Sequence, residues 1–106
     1  MPTLRAREDF ARIREQGRSR SDRLMVVRFV PNGRDHDRFG ISTGRRLGGA
    51  VTRNRVKRRI RAAATEANLD PGSDYVIVPT AAAATVRFDD LVAAIMVAAP
   101  PNGRQT

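Results

Sequence analysis

The run Thr52-Arg53-Asn54-Arg55-Val56-Lys57-Arg58-Arg59-Ile60-Arg61-Ala62-Ala63-Ala64-Thr65-Glu66-Ala67 decides how this chain folds. Val56, Ile60, Ala63 and Ala67 recur at i, i+4, i+7 and i+11, so the spacing predicts a helix over 52–67 with one buried stripe. Advancing 100° per residue from Val56 puts Arg53, Lys57, Arg61, Asn54 and Arg58 on one flank and the outer face. Arg55 and Arg59 fall on the other flank. Like charges at i, i+4, such as Arg53/Lys57/Arg61, destabilise an isolated helix by about 0.2–0.5 kcal/mol per pair. A purely structural helix normally carries Glu among them, so the arrangement makes sense where phosphates supply the counter-charge. Asn54 adds a neutral donor and acceptor for a base edge or a 2′-hydroxyl. The plainer alternative is a generic solvated amphipathic helix.

Outward from the helix the charge stays one-sided. No acidic residue lies between Asp37 and Glu66, while Arg38, Arg45, Arg46, Arg53, Arg55, Lys57, Arg58, Arg59 and Arg61 do. Gly40, Gly44, Gly48 and Gly49 in the same stretch suit close backbone approach to a partner. Over all 106 residues, 20 Lys+Arg against 11 Asp+Glu leave a net charge of +9, which suits a polyanionic partner. A content of 41% hydrophobic and 29% charged residues is that of a globular chain and excludes a wholly disordered one. The length fits one domain, expected over 1–99, with a flexible tail over 100–106. The absence of cysteine excludes disulfide scaffolds, thiolate zinc sites and Cys nucleophiles. No secretory leader and no stretch of about 20 apolar residues is present, so the expected compartment is the cytoplasm.

The remaining elements follow from local pattern. Residues 7–16 read as a helix, with Glu8 and Asp9 in its first turn and Gly17 ending it. Residues 23–30 read as a strand and 38–43 as a second, antiparallel to the first. Residues 74–78 form a short strand after Pro71-Gly72. Thr85 is placed to cap a last helix whose apolar face is Phe88, Leu91, Val92, Ile95 and Met96. The order αββαβα points to an α+β fold, one mixed sheet packed with about three helices.

Arg53-Asn54-Arg55, then one residue, Lys57-Arg58, two residues and Arg61 closely resembles the signature of the bacterial ribonuclease P protein family. Arg38-Phe39-Gly40-Ile41-Ser42, Gly44-Arg45-Arg46-Leu47-Gly48-Gly49-Ala50-Val51, Leu4 to Gly17, Gly72 to Val78 and Phe88-Asp89-Asp90-Leu91 extend the likeness to about residues 4–98. The resemblance implies a left-handed βαβ crossover around the basic helix. It also implies a monomer that works within a ribonucleoprotein, binding the catalytic RNA of ribonuclease P and the 5′ leader of precursor tRNA. That ribozyme hydrolyses a phosphodiester with Mg²⁺ held mainly by RNA. The expected RNA-binding residues are Arg45, Arg46, Arg53, Asn54, Arg55, Lys57, Arg58 and Arg61, and the expected leader cleft holds Phe10 and Arg14. Phe10 fits a plain core position equally well. This chain has Arg14 and Leu24 where many members have aromatics, so stacking on leader bases rests mostly on Phe10. It has Ala62 and Ala64 where the family often has Glu and an aromatic, which thins the core under the helix.

Rival functions are weaker. Two-metal hydrolysis needs converging carboxylates, whereas Asp89 and Asp90 diverge on a helix and Asp35 and Asp37 flank only His36. A lone His in a polar loop is normally solvated, so no catalytic residue and no metal ligand is assigned to this chain. Another basic RNA binder, such as a ribosomal protein, remains the alternative. No paired helix-turn-helix pattern or zinc ligand set suggests DNA. The basic helix offers only Val56, Ile60 and alanines as apolar anchors, too few for a membrane surface.

Overall fold

The computed structural model describes residues 7–44, 47–69 and 72–98. Along them run α1 (Arg7–Gln16), β1 (Arg18–Ser21), β2 (Met25–Pro31), β3 (Arg38–Ile41), α2 (Ala50–Ala67), β4 (Ser73–Pro79), a 3-10 turn (Ala81–Ala84) and α3 (Phe88–Ala98). The architecture is α+β: one mixed four-stranded sheet, order β1-β2-β4-β3, packed with three helices. The proposed tail over 100–106 lies outside the described residues, as do Arg45 and Arg46.

The strand expected at 38–43 does run antiparallel to β2, but the two do not pair. β4 lies between them, antiparallel to β2 and parallel to β3. The reason is burial. All of β4 is buried except half-buried Val78, so both its edges need hydrogen-bonded neighbours. α2 carries the chain from β3 back to β4, as a parallel pair requires.

β1 was not legible in the sequence. Arg-Ser-Arg-Ser has no apolar residue, and all four side chains are exposed. Two turns create it. At Gly17 the chain reverses so tightly that a Cβ would sit 2.4 Å from the Ile13 carbonyl oxygen and 2.9 Å from that of Phe29. At the other end Asp22 Oδ1 accepts from the backbone N–H groups of Leu24 (2.7 Å) and Met25 (3.0 Å). Between these turns the segment is laid along β2, Arg18 opposite Phe29 and Ser21 opposite Val26. Thr85 also differs from expectation. It closes the 3-10 turn, and α3 starts three residues later at Phe88.

The sheet separates two cores. On one face Met25, Val27, Phe29, Phe39, Tyr75 and Ile77 meet Val56, Ile60 and the alanines of α2, with Leu91 and Ile95 of α3. Tyr75 stacks on Phe39 (centroids 4.9 Å, planes 10° apart) and tilts against Phe29 (6.3 Å, 44°). This aromatic row crosses three strands. It supplies from the sheet the bulk that Ala63, Ala64 and Ala67 do not supply from the helix. Of the apolar face expected on α3, Leu91 and Ile95 are buried, while Phe88 and Met96 are exposed. On the opposite face α1 packs through Ile13 onto Val76, with Phe10, Val30 and Val78 partly buried around them.

Asp74, at the start of β4, is fully buried. Its carboxylate accepts from Arg38 Nε (2.9 Å) and Nη2 (2.6 Å), from Asn32 Nδ2 (2.8 Å) and from Arg12. Arg38 also reaches Asp9 at 3.4 Å. One carboxylate thus ties together α1, the β2–β3 loop, β3 and β4. Burial raises its pKa, but the Arg38 and Asn32 hydrogen bonds, the Arg38 charge and the Arg12 bond outweigh that, so the carboxyl titrates below its usual range. The unfolded chain therefore binds this proton more readily than the folded one, and stability increases with pH across that window. Urea melts should show stability held at pH 7 and lost as pH falls from about 4 toward the depressed native value. Asp74→Asn removes the counter-charge that Arg12 and Arg38 share and leaves Arg38 only its longer contact with Asp9. It should cost about 3 kcal/mol at pH 7, the low end for a broken buried pair because both arginines keep some solvent, and should flatten the acid dependence.

Candidate nucleic-acid interface

α2 begins at Ala50, two residues before the expected start, with Gly49 as its extended N-cap. It ends where Asn68 turns left-handed at φ 50°. Val56, Ile60 and Ala63 have no exposed surface, so the apolar stripe is where the spacing puts it. Asn54, Arg55, Arg58 and Arg61 are exposed; Arg53 and Lys57, on the flank of the buried stripe, are half-buried. Among the described residues, none of these six side chains meets a hydrogen-bond or ion-pair partner. The helix therefore presents unneutralised cations to solvent.

Two arginines of the acid-free stretch do something else. Arg38 is held by Asp74. Arg59 donates from Nη1 to the Ala83 carbonyl (2.7 Å) and from Nη2 to the Val86 carbonyl, pinning α2 to the chain ahead of α3. Helix period puts Arg59 on the flank opposite Arg53 and Lys57; that this flank meets the carbonyls of the 3-10 turn and not solvent is decided by the tertiary structure.

Leu47, just ahead of α2, enters the main core and donates its N–H to the Gly44 carbonyl at 3.2 Å. Gly48 adopts φ 113°, a left-handed conformation that favours glycine. Gly49 brings no side-chain cap, and the first turn of α2 has no acid. The partial positive charge of the helix start therefore adds to that of Arg53 and its neighbours.

Phe10 and Arg14 lie on the opposite face of the sheet, one turn apart on α1. Phe10 is half-buried against the Ile13–Val76 pair, as Val30 and Val78 are, so it is partly core and partly accessible; Arg14 is exposed. A residue the sequence reading missed joins them. Arg28, half-buried, is in register with Val76 and shares the α1 side of β2 with Val30. Strict alternation along 25–31 would have revealed it. Asp35 and Asp37 do not converge. Asp35 pairs with His36 Nδ1 at 3.0 Å in solvent, and the His36 hydrogen bond, its own backbone and the His36 charge lower its pKa. Asp37 accepts from the Ser73 N–H at 2.9 Å. Among the described residues no three His, Asp or Glu side chains gather into a metal site.

A family model described as ribonuclease P matches residues 2–98. The ribonuclease P protein component of Roseiflexus sp. is 38% identical over 95 residues, spanning 87% of this chain and 78% of that protein. The RNase P protein of Thermotoga maritima superposes with a TM-score of 0.79 at 30% identity, covering 92% of this chain and 94% of that one. A Staphylococcus aureus RNase P protein mutant with defective mRNA degradation activity superposes at 0.77 with 30% identity, covering 88% and 80%.

The two kinds of α2 arginine are separable by mutation. Arg59→Met should lower thermal stability by about 2 kcal/mol, as expected for lost charged hydrogen bonds to carbonyls. Arg58→Gln, one residue away, should leave the melting temperature unchanged. Calorimetry on both variants checks this.

Proposed function

The chain belongs to the bacterial ribonuclease P protein family, and on that premise we propose how its two faces are divided between two RNAs. It is the protein subunit of a ribonucleoprotein endoribonuclease and aids removal of the 5′ leader from precursor tRNA. The α2 face takes the catalytic RNA. Arg53, Arg55, Lys57, Arg58 and Arg61 meet its phosphates, Asn54 a base edge or 2′-hydroxyl, and Arg45 and Arg46 extend the contact through the preceding loop. The observation that carries this reading is the unpaired state of those α2 cations, in a molecule whose Arg12, Arg38 and Arg59 all have partners. Phosphates remove the like-charge repulsion along the helix and release the counterions gathered by the RNA.

The α1 face takes the leader. The accessible part of the Phe10 ring offers a stacking surface worth about 1–3 kcal/mol per base, and Arg14 and Arg28 stand beside it for the phosphates. The protein binds as one copy and does its work in the cytoplasm. Hydrolysis belongs to the RNA partner, which also holds the Mg²⁺. The described side chains do not fit a site for that ion, and no step of the protein's contribution runs through one. This chain acts by screening the repulsion between two polyanions and by holding the leader. The mRNA degradation named for the S. aureus protein is a property of that protein.

Two experiments test the division. In reconstituted holoenzyme, Arg58→Glu should weaken catalytic-RNA binding and reduce the slope of log K against log salt by about 0.7–0.9, while Arg34→Glu, in the exposed β2–β3 loop, should change neither. In the same series the protein alone should leave precursor tRNA uncut; cutting by protein alone would overturn the assignment of chemistry to RNA. Phe10→Leu keeps apolar bulk but loses the flat ring. It should lower affinity for leader-bearing precursor severalfold at unchanged melting temperature and unchanged affinity for mature tRNA. A lowered melting temperature with unchanged leader discrimination would make Phe10 a core residue only.

A further inference from the structure

The sheet edge farthest from β3 carries arginines that neither RNA contact above uses. Arg18 and Arg20 of β1 stand opposite Phe29 and Val27, whose side chains face α2 and α3, so both guanidinium groups emerge on the α3 side. They are two residues apart on one strand face, about 6.8 Å at the usual rise. Both are exposed, and among the described residues neither meets an acid. Asp22, the acid nearest Arg20 in sequence, uses Oδ1 to accept two backbone N–H groups, and Glu15, nearest Arg18, is an exposed residue of α1, on the other face of the sheet.

Beside Arg20 opens a hollow of about 300 Å³ between β1 and the C-terminal half of α3. Met25, Ala94 and Ala98 floor it, and Arg20, Asp22 and Val97 rim it. Its wall is mostly apolar, and Val97 is 72% exposed. A short charged edge strand also discourages edge-to-edge sheet pairing, but that role needs no apolar hollow next to the charge. An apolar hollow with the Arg20 guanidinium at its rim and that of Arg18 farther along the same strand face matches one ligand chemistry: a flat base flanked by phosphates. Guanidinium forks bind phosphate oxygens in pairs, and a nucleobase has two apolar faces.

We propose that the β1 edge and the hollow beneath α3 form a further RNA-binding site, taking a single-stranded nucleotide in the hollow with its flanking phosphates on Arg18 and Arg20. This rests on the chain being an RNA-binding subunit, but not on the role given to α2.

The chain has no cysteine, so an introduced one is a unique attachment point. Ala93→Cys, exposed on α3 one turn before Val97, would carry an iron–EDTA radical source in holoenzyme reconstituted with precursor tRNA. Asn54→Cys would mark α2 in a parallel sample. The Ala93 probe should cut a stretch of RNA distinct from that cut by the Asn54 probe. Adding Arg18→Gln and Arg20→Gln should reduce the first cleavage at least fivefold, leave the second intact, and lower the salt slope of RNA binding by about 1.4, two single-strand contacts, at unchanged melting temperature. No cleavage from Ala93 while Asn54 cuts overturns the proposal, as does cleavage indifferent to the double substitution. RNA cleavage from Ala93 that emerges only after residues 99–106 are removed would mean that the chain's own end fills the hollow, and overturns it too. Loss of the Asn54 cleavage alone would instead sink the α2 reading.

Discussion

Asp74 carries a negative charge with no exposed surface, and a carboxylate in that state is tolerable only while donors surround it. Arg38, Arg12 and Asn32 do so, and each comes from a different element. The arrangement works in both directions. The donors keep the carboxyl ionised, and the ionised carboxyl fixes where α1, the β2–β3 loop and β3 sit relative to β4. With α1 held there, Ile13 packs on Val76 with Phe10 against the pair, and the two faces of the sheet become separate environments.

A second constraint follows from composition. With 20 bases and 11 acids, a net charge of +9 remains even if every acid is paired, so many arginines have no acid of their own within the chain. The fold assigns a few of them to internal work: Arg12 and Arg38 on Asp74, Arg59 on two carbonyls before α3. Those on the exposed surface of α2 meet no counter-charge among the described residues. Stability and RNA affinity thus draw on the same residue type but on different members of it. Loss of an internal arginine costs stability, whereas loss of a surface one changes only how strongly the molecule attracts a polyanion.

The central position of β4 explains how so small a domain offers several surfaces. Paired on both edges and buried on both sides, it lets the sheet be covered by α1 on one side and by α2 and α3 on the other. The basic helix and the Phe10 region then lie on opposite faces, separated by the sheet. The β1 edge lies farthest from β3, at the other end of the sheet.

The sequence by itself determined the helix of 52–67, its buried stripe, its cationic surface and the family, because helix period and charge spacing are local properties that no distant contact overrides here. It determined the α+β class for the same reason: each long element has its own period. Only the tertiary structure decided that β4 separates β2 from β3, since strand order depends on which edges burial forces to pair. β1 exists only because Gly17 and Asp22 fold an all-polar segment against β2. Arg59 differs from Arg58 only because a carbonyl-bearing turn comes to its flank of the helix. Asp74, one acid among eleven in the sequence, became the centre of the fold because burial turned an ordinary carboxylate into one that four segments must serve together.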